Sequence, residues 1–381
     1  MDLSEFESIS PYSDEEAVKA FSRVAHHPAL PAISKYLFPG YPAGFLRGML
    51  LSVDSIDEFQ QVVMSKVVNA IIEKTSDGVT YDGIENLKNA GGKFLAVSNH
   101  RDIILDPAIT QWILFSHDIP MTEICVGSNL LSGPLVEDLL RSNRMIKVIR
   151  GISARELYLS SQLLSKYIRQ SIVSGRSSVW IAQKEGRTKN GLDTTEQGLL
   201  KMFDMSGEKG FRENFAELNI IPVSISYEYE PCDSRKAREI LISRTQKYVK
   251  KPKEDLHSIL TGIRQQKDHI HLSFGKPLSA EEIEAASVCT GNDRYQAIRH
   301  ALDERIRSGY RLWKTNYMGY DLMNGTSGYL GVGYTAEDLK AFRAYTEHKI
   351  GKLERRLDRD ALREIFWQIY GNPVAAQKDI R

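Results

Sequence analysis

The stretch "NHRDIILDP" places a histidine ahead of two aspartates, a combination that can work as a general base. His100 comes first, and Asp102 and Asp106 follow it. A carboxylate can hold one imidazole nitrogen while the other nitrogen accepts the proton of a substrate hydroxyl. Either aspartate can be that carboxylate. In the alternative interpretation, Asp106 only caps a helix that begins at Pro107, and Asp102 is a solvated loop residue.

A second stretch, "WIAQKEGRTKNG", runs from an apolar segment into a charged loop. Gly186 would let the backbone approach a ligand closely. Arg187 can grip a phosphate through two parallel hydrogen bonds, and Lys189 adds positive charge. The alternative is an ordinary charged loop.

A third stretch, "RSNRMIKVIRGISAR" (141–155), carries five basic residues and no acidic one. In a chain with 50 Lys and Arg against 49 Asp and Glu, it is the clearest local candidate for anion binding. Arg150 is best placed because it follows the apolar run "MIKVI". The basic run at 235–253 is expected to be a solvated helix face.

Composition excludes several classes of protein. The formal net charge of +1 gives no general field for nucleic acid. The three cysteines, Cys125, Cys232 and Cys289, are widely spaced and predict neither disulfides nor a zinc site. His100 and Asp102 lack further ligands at matched spacing, so no metal is expected. The acidic N-terminus resembles no targeting signal, and no apolar run is long enough to span a bilayer, which together predict a cytoplasmic protein.

The tripeptide "HRD" also occurs in protein-kinase catalytic loops, but the kinase interpretation fails. That loop requires an asparagine five residues after the aspartate, and this chain has Pro107 there. The sequence also contains neither a DFG motif nor an upstream glycine-rich loop.

Short apolar runs alternate with helical segments from residue 79 onward. The runs at 94–98, 123–127, 145–149, 178–182, 220–227 and 269–278 predict strands, and 153–175 predicts a crossover helix with Leu157, Leu164, Ile168 and Ile172 on its apolar face. Helix starts are predicted by three capping-box pairs: Ser13 with Glu16, Ser55 with Glu58, and Thr194 with Gln197.

This alternation predicts an α/β fold with a mixed, mostly parallel sheet flanked by helices. We expect an N-terminal helical domain (1–78), an α/β domain (79–280) and a C-terminal helical extension (281–381). Ligand chemistry in such folds lies at the carboxyl ends of the strands. His100, Arg150 and Arg187 each follow a predicted strand, so we expect them on one rim of the sheet.

Taken in order, these stretches resemble the glycerol-3-phosphate and lysophosphatidate acyltransferase family over roughly residues 80 to 280. In that family an Asn-His, four residues and an Asp form the catalytic motif, which "SNHRDIILDP" resembles. "MIKVIRG", "WIAQKEGRTKNG" and "IIPVSISY" resemble the three later blocks. Two features depart from the pattern. Five residues separate His100 from Asp106, and Arg187 and Thr188 are transposed relative to the commonest form.

The resemblance implies direct acyl transfer from an acyl carrier protein or coenzyme A thioester. His100 would be the general base, with Asp106 the preferred partner and Asp102 its rival. One extra residue would turn Asp106 about 100° around a continuous helix, so it must be absorbed in the preceding loop. No cofactor or metal is implied. The substrate-binding residues implied are Arg150, Lys184, Glu185, Gly186, Arg187, Thr188 and Pro222.

The resemblance also implies a lipid partner. The acceptor would be glycerol 3-phosphate, lysophosphatidate or the hydroxyl of an amino-acid lyso-lipid. We expect peripheral binding to the cytoplasmic (inner) membrane through "KYLFPGYPAGFLRGML" and the basic segments. For the apolar residues of "KYLFPGYPAGFLRGML", packing in the protein interior is the stronger alternative. Two other functions remain open: a non-catalytic lipid-binding protein on the same fold, and a metal-dependent phosphate-ester hydrolase.

Overall fold

The computed structural model describes residues 4–131, 133–151 and 153–380, and it contains a seven-stranded sheet. The strand order is β1-β7-β6-β2-β5-β3-β4, and only the β6–β7 pair is antiparallel among the described strands. The predicted mixed, mostly parallel α/β sheet is therefore confirmed. The strands are β1 (Gly78–Asp82), β2 (Leu95–Ser98), β3 (Glu123–Gly127), β4 (Met145–Val148), β5 (Val179–Ala182), β6 (Ile220–Tyr227) and β7 (His269–Phe274).

Helices precede, connect and follow the strands. They are α1 (Asp14–Ala25), α2 (Leu30–Leu37), α3 (Phe45–Leu51), α4 (Ile56–Glu58), α5 (Ser65–Thr75), α6 (Ile84–Lys88), α7 (Leu105–Ser116), α8 (Pro134–Arg141), α9 (Ala154–Val173), α10 (Gln197–Asp204), α11 (Phe211–Ala216), α12 (Asp233–Ser243), α13 (Glu254–Arg264), α14 (Ala280–Ser287), α15 (Asp293–Gly309), α16 (Lys314–Asn324), α17 (Ala336–Gly351) and α18 (Arg359–Lys378). A π-helical segment (Phe59–Met64) joins α4 to α5, and short 3-10 helices lie at Ser4–Phe6 and Ser128–Leu130.

Both faces of the sheet are buried. Alternate residues of β2 enter different cores: Ala96 packs with the N-terminal helices, whereas Leu95 and Val97 pack with α9, α10 and α15. Alternation of this kind follows from the two-residue period of a strand. A third core joins α12 to α16, α17 and α18. The N-terminal helices thus share a core with the sheet, and the proposed division into three domains stays a prediction.

Strand prediction was right for β2 to β7 and missed β1. The missed strand reads "GVTYD", and its last three residues are exposed. It pairs with β7 at the sheet edge, in parallel. A strand that is largely exposed carries little of the apolar pattern by which strands are recognised.

Two local predictions about helices were wrong. Leu157 is 48% exposed and belongs to the stretch 153–159 at the start of α9, which is exposed throughout. Leu164, Ile168 and Ile172 are buried as expected. Thr194 and Gln197 form no capping box, since α10 begins at Gln197 with Glu196 as its N-cap and no side-chain cap. Ser13 with Glu16 does form the predicted box.

Candidate active site

The parallel strands β2, β5, β3 and β4 end at one edge of the sheet, and their loops line a cleft there. His100 follows β2, Arg150 follows β4, and Lys184 with Arg187 follows β5. The cleft has an apolar floor built from β3, β4, β5 and the start of α7. Its apolar lining residues are Ile103, Ile104, Pro107, Ile124, Cys125, Val126, Leu130, Met145, Trp180 and Ala182.

His100 is paired with Asp106. Nδ1 of the imidazole lies 2.9 Å from Oδ2 of the carboxylate, and the two side chains are 13% and 1% exposed. A carboxylate accepts hydrogen bonds and donates none, so the proton lies on Nδ1 and Nε2 is left as an acceptor. The contact therefore selects Asp106 over Asp102 as the partner of His100.

The N-terminus of α7 differs from the sequence prediction. The helix begins at Leu105 with Ile104 as N-cap, so Asp106 lies inside the first turn and is not the cap. The capping contacts that were expected from Asp106 come from Asp102 instead. Its Oδ1 accepts the N–H groups of Ile104 (3.0 Å) and Leu105 (2.9 Å). Asp102 is 1% exposed, so its prediction as a solvated loop residue was wrong. The residues at 101–104 form the turn between β2 and α7, and His100 and Asp106 meet across it.

Three further donors hold the Asp106 carboxylate. Oδ2 accepts the backbone N–H groups of Arg101 (2.5 Å) and Asp102 (2.9 Å), and Oδ1 accepts the hydroxyl of Tyr227 (2.8 Å). Burial, followed by the charge of Asp106, raises the pKa of Tyr227 well above its usual value, so the phenol remains a donor. No motif in the sequence indicates this contact, since Tyr227 is only the last residue of the predicted strand at 220–227.

Arg101 of the "HRD" tripeptide points into the interior. Its Nη2 lies 2.5 Å from Oδ2 of Asp193, and its Nη1 lies 3.5 Å from Oε2 of Glu230. Burial opposes the charge, but these two carboxylates raise the pKa of Arg101. Lys236 completes the cluster with Nζ 2.6 Å from Oε1 of Glu230. Lys236 is 2% exposed, which corrects the prediction that the basic run at 235–253 is simply a solvated face.

The loop after β5 brings three predicted residues to the cleft. Gly186 has φ +71°, a backbone conformation that favours glycine. Nη1 of Arg187 is buried and has no hydrogen-bond partner among the described residues. Burial lowers the pKa of Lys184, with the charge of Asp193 acting against that shift. Lys189, Lys250, Glu239 and Asp255 add charged groups to the same lining.

The other predicted substrate-binding residues lie outside the cleft lining. Glu185 is paired with Arg150 (Oε1 to Nη1, 3.2 Å). Thr188 is buried and donates its hydroxyl to Asp193 (2.7 Å) and its N–H to the carbonyl of His100 (2.6 Å). Pro222 is buried within β6, opposite Val97 of β2. The contacts of Glu185 and Thr188 position the loop after β5, and direct substrate contact by all three residues stays a prediction.

The chain is similar in sequence to known acyltransferases. A family model described as "Acyltransferase" matches residues 78–227, from the first residue of β1 to Tyr227 at the end of β6. Residues 78–227 are thus similar to the acyltransferase family. The curated mouse protein "Dihydroxyacetone phosphate acyltransferase" is 28% identical over 233 residues, which are 60% of this chain and 32% of that protein. The chain thus spans about a third of the length of this relative.

The chain also aligns with a solved structure. The 1-acyl-sn-glycerophosphate (LPA) acyltransferase PlsC from Thermotoga maritima aligns with a TM-score of 0.41 and 13% identity, covering 77% of this chain and 94% of that one. Among the helices within residues 4–131, 133–151 and 153–380, none combines the length and hydrophobicity needed to cross a bilayer. The same residues contain no group of three or more His, Cys, Asp or Glu suited to bind a metal ion.

Proposed function

We propose that the protein transfers a fatty acyl group from a thioester to a hydroxyl of a glycerol-phosphate-type acceptor in phospholipid biosynthesis. The observation that carries this proposal is the His100–Asp106 pair, 2.9 Å apart, in a cleft with an apolar floor and a cationic rim. The acyltransferase family match supports it.

In the proposed reaction His100 is the general base. Nε2 takes the proton of the acceptor hydroxyl as its oxygen attacks the thioester carbonyl carbon. A new C–O bond forms, the C–S bond breaks, and the departing thiolate receives a proton, which His100 can return. Asp106 holds the imidazole in the required tautomer and stabilises its positive charge. General base catalysis of this kind contributes about 10²- to 10⁴-fold in rate.

The cations on the rim are proposed to bind the acceptor phosphate. Arg150, Lys184 and Arg187 line the cleft with His100. The buried Nη1 of Arg187 suits a phosphate oxygen, because a buried donor without a partner is costly until a ligand supplies one. The apolar floor would take the acyl chain, whose burial releases about 0.8 kcal/mol per methylene.

An assay of the purified full chain tests this function. The donors are palmitoyl-acyl carrier protein and palmitoyl-coenzyme A, and the acceptors are glycerol 3-phosphate, lysophosphatidate and dihydroxyacetone phosphate, the last suggested by the name of the mouse relative. We expect an acyl ester with at least one pair. Absence of ester with every pair, alongside binding of lyso-lipid, would instead indicate a lipid-binding protein. Release of inorganic phosphate that chelator abolishes would indicate a hydrolase.

Matched variants assign the site. His100→Gln should lose at least about 10²-fold in kcat, whereas His26→Gln, at an exposed histidine in the N-terminal region, should behave as wild type. Arg187→Ala should raise KM for the phosphate acceptor about tenfold. The exposed Arg356→Ala is its control. Equal effects of Arg187→Ala and Arg356→Ala would remove Arg187 from the acceptor site.

We further propose peripheral binding to the cytoplasmic (inner) membrane through the segment at 35–50 and Leu51, which directly follows it. Its Phe38, Leu46 and Leu50 are buried as predicted, while Tyr41 and Leu51 are 57% and 51% exposed. Flotation with phosphatidylethanolamine–phosphatidylglycerol vesicles should be weakened by Tyr41→Ser with Leu51→Ser. Val332→Ser, at an 88% exposed residue, is the control. Unchanged flotation of the double variant would exclude this surface.

A further inference from the structure

The two oxygens of the Asp106 carboxylate accept hydrogen bonds from different donors. Oδ2 receives His100 Nδ1 and the N–H groups of Arg101 and Asp102. Oδ1 receives the hydroxyl of Tyr227 at 2.8 Å. Partial rotation about the Cβ–Cγ bond would move both oxygens away from their donors, and Tyr227 opposes that rotation because its hydroxyl is fixed on β6.

We propose that Tyr227 is a positioning residue that holds the plane of the Asp106 carboxylate in the orientation in which one oxygen faces His100 Nδ1 and the other faces the Tyr227 hydroxyl. The residue does not touch the reacting atoms, and it acts only through Asp106. This inference rests on the proposed function where it concerns the rate of acyl transfer, but the contact itself is independent of that function.

The surroundings of Tyr227 support this role. The ring is 1% exposed and lies in the core that includes Ile109, Ile113, Ile225 and Ile270. Its backbone is fixed opposite Ile270 in the antiparallel β6–β7 pair. A rigid phenol held by a central strand loses little conformational freedom when it donates, so the hydrogen bond orients its acceptor effectively.

Strand β6 also lies directly beside β2, the strand that delivers His100. Nδ2 of Asn99 donates to the carbonyl of Ile225 (3.0 Å), and the N–H of Ile225 donates to Oδ1 of Asn99 (2.8 Å). The residue preceding His100 and the residue two before Tyr227 are therefore joined by two hydrogen bonds. Both partners of Asp106 are held in one rigid unit, so the distance between them is set by the sheet.

Removal of the hydroxyl with retention of the ring tests the proposal. In Tyr227→Phe we expect kcat to fall about tenfold with KM changed less than twofold, because orientation of the base is impaired and substrate contacts remain. Tyr345→Phe is the matched control. It removes a hydroxyl that donates to another carboxylate, Oδ2 of Asp233, at 2.6 Å, and Asp233 lies outside the cleft lining. Melting temperatures of both variants establish that they are folded.

Nuclear magnetic resonance gives a readout that does not depend on activity. The Nδ1 proton of His100, assigned by its loss in His100→Gln, should be a sharp downfield signal in the wild type and Tyr345→Phe. It should broaden or move upfield in Tyr227→Phe. An unchanged signal and an unchanged kcat in Tyr227→Phe would overturn the proposal. If the wild type transfers no acyl group but the signal changes, the proposed function fails and the positioning contact stands.

A second measurement covers the case in which Tyr227→Phe does not fold. In the wild type the hydroxyl proton of Tyr227 should be protected from exchange and shifted downfield by the carboxylate. Asp106→Asn should move that signal, whereas Asp233→Asn should not. A Tyr227 hydroxyl signal that Asp106→Asn leaves unchanged would also overturn the proposal.

Discussion

The backbone N–H of Asp102 donates to Oδ2 of Asp106 over 2.9 Å, so the two aspartates that the sequence presents as rivals belong to one arrangement. Asp102 caps the start of α7 through its own carboxylate, and Asp106 accepts the imidazole of His100. Asp102 therefore determines where the helix begins, and that start places Asp106 beside His100.

Substitution of each aspartate by asparagine should separate these tasks. In the proposed mechanism, Asp106→Asn removes the charge that would stabilise the imidazolium and allows the amide to donate toward Nδ1, so kcat should fall by at least about 10²-fold. Asp102→Asn keeps an oxygen that can accept the two N–H groups, and kcat should stay within about threefold. Steady-state kinetics of acyl transfer measure both. A severe loss confined to Asp102→Asn would contradict the assignment of Asp106.

Gly262 of α13 should tolerate no side chain, because Asp102 lies directly against it. A Cβ there would be 2.0 Å from Oδ2 of Asp102, which forces the capping carboxylate to move. Gly262→Ala should lower the free energy of unfolding by about 1–3 kcal/mol and reduce kcat. Gly198→Ala in α10 is the control, since nothing lies within 4 Å of its Cβ. Urea unfolding curves that coincide for the two variants would refute this prediction.

Asp193 is expected to be a large contributor to stability. It is the nearest counter-charge of the buried Arg101, and the other carboxylate, Glu230, is shared with Lys236. Arg101 also opposes the effect of burial and helps to lower the pKa of Asp193. Asp193→Asn should cost about 3–5 kcal/mol, because it leaves a buried cation poorly compensated.

The exposed pair Glu15–Lys19 provides the comparison for Asp193. Glu15→Gln should leave the unfolding free energy close to that of the wild type, since solvent screens exposed charges. Similar denaturant midpoints for Asp193→Asn and Glu15→Gln would show that the buried pair adds little.

Lys267 should make stability rise with pH in the alkaline range. Burial lowers its pKa from 10.5 to about 8, although the charge of Asp102 acts against that shift, and the ammonium donates to Thr75 Oγ1 (2.9 Å). Between pH 8 and 10.5 the unfolded chain therefore binds a proton that the folded chain does not. Raising the pH from 7 to 10 should therefore increase the free energy of unfolding by about 2 kcal/mol.

The matched variant for that prediction is Lys267→Met, which cannot titrate. Unfolding free energies at pH 7 and pH 10 should differ more in the wild type than in Lys267→Met, in the stabilising direction. Because other groups titrate equally in both proteins, the difference isolates Lys267. Parallel dependence on pH in the two proteins would refute the shift.

Much of the architecture was predictable from local patterns. The apolar runs that form β2 to β7 are short and bounded by polar residues or glycine, so their burial follows from composition alone. Placement of His100, Arg150 and Arg187 on one rim followed from the geometry of parallel strands, since each residue comes after a strand. The Ser13–Glu16 box was predictable because both of its hydrogen bonds are local.

The sequence by itself determined the fold class, the rim of the sheet and the residue types available for chemistry. Tertiary structure decided the pairing within the site. Tyr227 reaches Asp106 across 121 residues, and Arg101 reaches Asp193 across 92. Such partners are selected by strand order and by the cost of burying an unpaired polar group, and neither leaves a periodic signal in the chain. The choice between Asp102 and Asp106 depended on a helix that begins one residue before Asp106.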